Sequence, residues 1–531
     1  MKACTIRLQP AGVTLSANAG TPLADVLHEY GAEFPCGGAG VCAACKVRLL
    51  EGSIAVSEKH AAALRKKSLG GDWRLACMSV VESDVALEVA QWEQLILADN
   101  TRFDFTPKSG CGIAVDLGST TIVSQLVNLR NGSVSAVQQG VNPQTKYGAD
   151  IMSRIAFATK DKGNAETLTA LTRKAVREQI QQLLARCHVA PVEVCGEGQC
   201  ATLANASTLR QAQGDSPRQA QGLGVNNVVI VGNTVMHHIF CGLDLAPLAA
   251  FPFQTPHSGA VRFTPQQLGW DLPQEVGICF APNLGSFVGS DILAGILAAR
   301  MHQKPAHSVL IDLGTNGEIA VGNHDKILCA STSAGPAFEG AAISCGMRAA
   351  TGAIASLERK AQGGLQARVI GNAAARGICG SGMIDALAEL TASGDIEPSG
   401  SISGGREALP LTSGIALTQR DVRELQLAKA AIAAGVTLLM KRLNITANDV
   451  ESVYVAGAFG SYINTRNAVK IGLLEFDESK IVKLGNSALT GAKMLLFDDK
   501  TPAEKITGIT SHVSLEAEVE FQDTFCGKLG F

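Results

Sequence analysis

Four cysteines near the amino end, Cys36, Cys42, Cys45 and Cys77, are the residues best suited to chemistry, and their spacing is C-x5-C-x2-C-x31-C. Three of them fall within FPCGGAGVCAAC, residues 34–45. Thiolates so placed can wrap an iron–sulfur centre, whose ligands point inward from a loop that bends tightly around it. Gly37, Gly38, Ala39, Gly40, Ala43 and Ala44 supply the small side chains that let backbone amides approach the sulfides. Zinc is the rival occupant. Its ligands usually come as two close pairs, whereas Cys36 and Cys77 have no near partner. Four plain buried cysteines are the remaining alternative.

The spacing differs by one residue from the C-x4-C-x2-C of plant-type ferredoxins and resembles the C-x5-C-x2-C of vertebrate and bacterial ones. A 2Fe–2S cluster held by the four cysteines is therefore expected. At about −400 mV such a centre carries one low-potential electron. The surrounding pattern agrees. CTIRLQP and GVTLSA alternate as two strands around a turn at Pro10–Gly12, and TPLADVLHEYG has helical periodicity ending at Gly31. KVRLLEG and DVALEVA read as further strands, with the fourth cysteine in WRLACMSV between them. Residues 1–90 are thus expected to form an α+β, β-grasp ferredoxin-like unit, and the polar, Pro- and Gly-containing residues 91–110 a linker.

A second chemistry starts at Cys111. In CGIAVDLGSTTIVSQLVNL an apolar strand ends in Asp116, then come a glycine, hydroxyls and another strand. SVLIDLGTNGEIAVG, from Ser308 to Gly322, repeats the design, so that Asp116-Leu-Gly-Ser-Thr and Asp312-Leu-Gly-Thr-Asn match term by term. Glycine in such a hairpin lets amides approach phosphate oxygens, hydroxyls add donors, and the aspartate can hold Mg²⁺ through water. One copy is weak evidence, but two in a chain point to a duplicated fold with a clamp from each half. The candidate phosphate-binding residues are Gly118, Ser119, Thr120 and Thr121 in the first turn and Gly314, Thr315 and Asn316 in the second. Asp116 and Asp312 are the candidate catalytic aspartates, and Glu318 is placed to orient an attacking water. A third stretch, VESVYVAGAFGSYIN, ends a strand at Gly457 and continues through Gly460, where a flat base needs close backbone approach. Gly380, in RGICGSGMIDALAEL, suits a helix start facing the same cleft.

Composition bounds the answer. The chain has 531 residues, 46% of them apolar and 5% aromatic, with 56 glycines, so several Ala-, Val-, Ile- and Leu-built cores are expected. A net charge of −3 with no basic patch argues against a nucleic-acid or membrane-surface partner. MKACTIRLQP has no signal-like apolar run, and no window of about 18 apolar residues suggests a membrane span. Fifteen cysteines without a secretion signal point to a reducing, cytoplasmic setting.

The two aspartate turns and the glycine turn resemble the phosphate-1, phosphate-2 and adenosine motifs of the acetate and sugar kinase, heat-shock chaperone and actin superfamily, on Asp116–Thr121, Asp312–Glu318 and Val455–Ser461. The resemblance implies an α/β ATPase of two RNase-H-like halves, about 111–305 and 306–531, closing over Mg²⁺-ATP. A ferredoxin-type unit fused in front of residues 111–531 is similar to the reductive activators of corrinoid proteins. VVIVGNTVMHHIF, APNLGSFVGSDILAGIL, SAGPAFEGAAISCGMRAATGAI and RGICGSGMIDALAEL strengthen that likeness. It implies transfer of one electron from the cluster to Co(II) in a corrinoid protein of a methyltransferase system, restoring Co(I). That transfer is uphill from about −400 mV, and ATP can help only by differing in affinity between two states. An external low-potential donor must reload the cluster, and the family likeness suggests a homodimer. Members of the family carry a longer segment where this chain has only residues 91–110. The alternatives are an ATP-coupled donor to another enzyme such as a dehydratase, a redox and nucleotide sensor, and a small-molecule kinase.

Other features read as structural. TLRQAQGDSPRQAQGLGVNN contains RQAQG twice and is expected to be a mobile, low-complexity insert near residues 205–227. His237 and His238 sit in an apolar stretch and suit a core or hinge place. Cys345 and Cys379 suit small buried positions.

Overall fold

The computed structural model describes residues 3–9, 13–29, 45–66, 69, 71–89, 105–148, 150–187, 224–314, 316–332, 336–339, 343–347, 349, 352–360, 362–370, 374–460, 462–498 and 501–531. Cys36, Cys42, Thr315 and most of the insert lie outside them.

Strict alternation builds the first unit. Strand β1 (Ala3–Gln9) buries Cys4, Ile6 and Leu8 and exposes Thr5 and Arg7 between them. It pairs antiparallel with β2 (Val13–Asn18). Helix α1 (Leu23–Glu29) buries Leu23 and Leu27 and is preceded by the two-residue strand β3 (Thr21–Pro22). Strand β4 (Lys46–Glu51), helix α2 (Glu58–Lys66), β5 (Trp73–Leu75), β6 (Val80–Val81) and β7 (Val85–Val89) follow. The five-stranded sheet runs β2-β1-β7-β4-β5, with β1 and β7 parallel. Helix α2 is a finding beyond the sequence reading, and of its nine residues only His60 and Leu64 are buried. Phe105 and Lys108, assigned to the linker, are already anchored. The Phe105 ring lies 4.3 Å from that of Phe497, and the Lys108 amide donates to Leu129 O at 2.9 Å.

Two larger sheets follow. The first contains β8 (Cys111–Leu117), β9 (Thr121–Asn128), β10 (Val134–Val141), β11 (Val225–Val231), β12 (Val261–Phe263) and β13 (Gly277–Phe280) in the order β10-β9-β8-β11-β13-β12. The second contains β14 (His307–Leu313), β15 (Gly317–Gly322), β16 (Ile327–Thr332), β22 (Val450–Ala456), β23 (Ile481–Gly485) and β24 (Thr510–His512) in the order β23-β22-β14-β15-β16-β24. Five strands correspond in each: an antiparallel three-strand meander, then two parallel strands entering beside the first. This is the duplicated α/β architecture expected from the paired aspartate turns. Between β16 and β22 lie a small sheet of β17 (Ala353–Arg359), β18 (Leu365–Val369) and β19 (Gly377–Ile378), and a hairpin of β20 (Ala408–Thr412) and β21 (Ile415–Thr418).

Helices α3 (Ile151–Lys160), α4 (Lys162–Cys187) and α5 (Thr234–Cys241) cover the first large sheet. His237 and His238 of α5 are fully buried, and the His237 ring stands edge-on to Phe280 at 4.8 Å, a core place as expected. Helix α6 (Ser290–Ala298) packs on β11 and on β14 and β15 of the second half. Helices α7 (Gly380–Ala392) and α8 (Gln419–Arg442) belong to the second half, whereas α9 (Ser487–Leu495) crosses back onto β8, β9 and β11 of the first. The segments that begin α6 and α9, Gly289-Ser-Asp-Ile-Leu-Ala-Gly295 and Gly485-Asn-Ser-Ala-Leu-Thr-Gly491, match at both glycines and the leucine. The two helices cross at those glycines. A Cβ on Gly491 stands 2.1 Å from Ala294 O, and one on Gly295 stands 2.8 Å from Leu310 Cδ2. One apolar core, with Ala114, Leu293, Leu310, Leu489 and Ala492, therefore spans both halves.

Gly491→Ala should lower stability by about 1–3 kcal/mol in denaturant unfolding, because the helices cannot separate without opening that core. Gly508→Ala, in the helix Thr501–Ile509 with nothing within 4 Å of its Cβ, should be neutral or stabilising.

Candidate functional site

The strand ends bring four carboxylates together. Asp116 is the penultimate residue of β8 and Asp312 that of β14. Glu318 stands directly across the β14–β15 hairpin from Asp312. Asp291, in the first turn of α6, completes the group. Burial is the main cause of a raised pKa at each, and at Asp291, Asp312 and Glu318 repulsion from other members adds to it. Asp116 rises to about 6 despite a 2.8 Å hydrogen bond from Asn486 Nδ2. Asp312 rises to about 7, with Asp116 as its charged neighbour. Asp291 rises to about 8 under burial and the charges of Asp312 and Asp116. Glu318 is pushed well up by burial, Asp291 and Asp312. Such crowding is stable only with a cation or protons to offset it. Among the described residues no three acidic, His or Cys side chains converge tightly enough to cage a cation alone. Mg²⁺ on a nucleotide needs less, since it takes one or two carboxylates together with phosphate oxygens and waters.

The first turn is fixed from behind. Gly118 O accepts from Asn142 Nδ2 at 2.9 Å, Thr120 O accepts from the Asn142 amide at 2.8 Å, and Ser119 Oγ accepts from Asn233 Nδ2 at 2.9 Å. A Cβ on Gly118 lies 2.6 Å from Thr121 O, so the tight turn excludes side chains there. The second turn has Gly314 donating to Asn316 O at 3.1 Å, and the Asn316 side chain hydrogen-bonds Glu318. The third stretch closes on the same place. Gly457 has φ +86°, and its Cβ meets Asp312 Oδ1 and Leu313 O at 2.5 Å, which only glycine allows. Gly460 follows in that helical turn, against Val455. The structure thus brings Asp116, Asp312, Glu318 and Gly457 together. Gly380 is the first residue of α7, and Asp385 of that helix lines a cavity of about 360 Å³ with Ser356, Glu358, Arg368, Tyr462 and Lys483. Tyr462 lies five residues beyond Gly457, so the cavity adjoins the third motif.

Asp291 and Asn486 escaped the sequence reading. Each opens one of the two crossing helices, and the matched Gly-x-x-x-Leu-x-Gly pair at 289–295 and 485–491 was the available signal.

In the first unit, Cys45 and Cys77 are both buried, and the Ala76 amide donates to Cys45 O at 2.9 Å. Pairing of β4 with β5 sets Lys46 opposite Leu75, so two thiols 32 positions apart in sequence become neighbours. That fits two ligands of one cluster. His60 supports the spot from below: buried and neutral, it accepts the Leu75 amide at Nε2, 2.9 Å, with its pKa lowered by burial and by Arg74. Cys379 is buried and Cys345 half-buried, both with thiols pushed up by burial.

A ferredoxin-type unit joined to a duplicated, actin-like nucleotide fold is the class this architecture defines. Residues 6–82 match the 2Fe-2S iron-sulfur cluster binding domain, residues 111–209 and 217–304 the RACo middle region, and residues 306–531 the C-terminal domain of RACo, the ASKHA domain. The chain is 34% identical over 469 residues to the corrinoid activation enzyme RamQ of Eubacterium limosum, covering 81% of this chain and 73% of that protein. It is 28% identical over 450 residues to the [Co(II) methylated amine-specific corrinoid protein] reductase of Methanosarcina barkeri, covering 79% and 77%. In fold it is similar to a solved reductive activator for corrinoid, iron-sulfur protein, with a TM-score of 0.65, 24% identity, and 99% and 98% of the chains covered. The chain belongs to the family of reductive activators of corrinoid proteins. Its ferredoxin-type domain is a 2Fe–2S domain and its ASKHA domain an ATP-binding one. Among the described residues no helix is long and apolar enough to cross a membrane.

Asp312→Asn should raise the melting temperature of the nucleotide-free protein at pH 8. The folded-state pKa of about 7 exceeds the unfolded 3.8, so the penalty of ionising Asp312 is complete above pH 7 and fades as pH falls towards 4. The gain over wild type should therefore shrink between pH 7 and pH 4, while Mg²⁺-dependent ATP hydrolysis is lost. A variant no more stable at pH 8 than at pH 4, relative to wild type, contradicts the crowding.

Proposed function

We propose that this chain reactivates a corrinoid protein of a methyltransferase system by ATP-dependent, one-electron reduction of Co(II) to Co(I). The reading rests on one juxtaposition: a single chain holds the neighbouring pair Cys45 and Cys77 in a ferredoxin sheet and two aspartate turns facing one carboxylate cluster. A 2Fe–2S cluster on Cys36, Cys42, Cys45 and Cys77 supplies the low-potential electron when bound. Asp116 and Asp312 would hold Mg²⁺, and the turns Gly118–Thr121 and Gly314–Asn316 would take phosphate oxygens, the first through the amides of Ser119 and Thr120, since those of Gly118 and Gly314 are bonded within the turns. The cavity beside Gly457 and Gly460 takes the nucleoside, with Tyr462 offering a flat face and Lys483 and Glu358 polar partners. Glu318, opposite Asp312, orients the attacking water. The chain divides into the ferredoxin unit, 1–90, and the ATPase, 111–531. Because α6 and α9 bridge its halves, nucleotide closure acts on both together. An external low-potential donor reloads the ferredoxin unit, the active form is a homodimer, and the compartment is the reducing cytoplasm.

The test is anaerobic mixing of reduced protein, Mg²⁺-ATP and a Co(II) corrinoid protein, followed by visible absorption. The Co(I) band should appear with ATP and not without it. Cys77→Ala should lose the cluster's colour and Co(I) formation but keep ATP-induced thermal stabilisation. No ATP-dependent Co(I) with any cognate corrinoid protein overturns the proposal.

A further inference from the structure

Arg154, on α3, is fully buried. Its guanidinium donates to neutral oxygens: Nε to Gly148 O at 3.0 Å, Nη1 to Gln144 Oε1 at 3.2 Å and Nη2 to Ser119 O at 2.6 Å. Nη1 also lies 3.6 Å from Met236 Sδ. Among the described residues no carboxylate pairs with it. The charge acting on it is Asp150, the N-cap of the same helix, whose Oδ1 is taken by the Ser153 amide at 2.8 Å. Burial lowers its pKa to about 10, so it remains a cation at neutral pH. A buried cation without a paired anion is strongly unfavourable. Such a charge is understandable where an anionic ligand completes the site.

The bond to Ser119 O shows which ligand. Ser119 is the middle of three consecutive residues whose carbonyls are all taken: Gly118 O and Thr120 O by Asn142, Ser119 O by Arg154. In a trans peptide the carbonyl and the next N–H point opposite ways. Pinning Gly118 O and Ser119 O therefore throws the amides of Ser119 and Thr120 to the other side, where adjacent amides form an anion nest.

We propose that Arg154 is a positioning residue for the nucleotide's phosphates, which pins the Ser119 carbonyl away from them and sets a full positive charge one peptide unit behind the turn. This rests on the reading of Asp116–Thr121 as a phosphate clamp and adds to it a residue from α3.

The experiment measures binding of a fluorescent, neutral adenosine derivative and of its Mg²⁺-triphosphate to the full-length wild type, Arg154→Gln and Arg154→Lys, with steady-state ATP hydrolysis alongside. Arg154→Gln should bind the triphosphate about tenfold to a hundredfold more weakly, with a matching rise in KM for ATP larger than any fall in kcat. Its affinity for the adenosine derivative should stay within about twofold of wild type. Arg154→Lys, which keeps the charge but not the three-way fork, should recover part of the triphosphate affinity. Unchanged triphosphate binding in Arg154→Gln overturns the proposal, as does equal loss for both ligands, which marks a purely structural role. If Arg154→Gln does not fold, Arg154→Lys decides: a loss confined to the triphosphate supports the proposal, and an equal or absent loss rejects it. Wild type that binds neither compound refutes the phosphate-clamp reading itself, and this inference falls with it.

Discussion

Repulsion among Asp116, Asp291, Asp312 and Glu318 is the constraint on which the rest of the ATPase depends. All four are pushed up in pKa by burial, and each of Asp291, Asp312 and Glu318 also feels another member. The cluster draws on both halves of the duplicated fold, because Asp116 and Asp312 end equivalent strands of separate sheets. Whatever neutralises it must sit between the halves and pull on both. A divalent cation carrying phosphates satisfies that demand, and its binding is by construction linked to their separation.

That linkage has a mechanical route. Helix α6 carries Asp291, and α9 begins at Asn486, which hydrogen-bonds Asp116. The helices cross at Gly295 and Gly491 with no room for a Cβ, inside a core shared by the two halves. A change at the carboxylates is therefore felt by a tightly packed pair and not by a flexible loop. ATP supplies driving force only to the extent that it binds one arrangement better than the other.

Much of this was legible in the residue order, for identifiable reasons. The duplication could be read because the two aspartate turns repeat term by term over a few adjacent residues, and two copies removed chance. The cysteine spacing could be read because cluster ligation also acts over a short loop, although Cys77 had to be inferred from a distance and its place beside Cys45 came from strand pairing. The parts that escaped are held by contacts far apart in sequence. Asp291 reaches the site from a helix 175 positions after Asp116 by residue number. Asn486 meets Asp116 across 370 positions and Asn233 meets Ser119 across 114. Arg154 lies in no motif, and its role shows only in its burial and in its bonds to Gln144, Gly148 and Ser119.

The central claim is that the cation of the nucleotide, more than its phosphates alone, completes a carboxylate-crowded site. Isothermal titration of ATP into the reduced, anaerobic protein with and without Mg²⁺ tests it most directly. The structure predicts tight binding with Mg²⁺ and a loss of about a hundredfold or more in its absence, because bare ATP adds negative charge beside four acidic groups. Equal affinity in chelator and in Mg²⁺ would contradict the account.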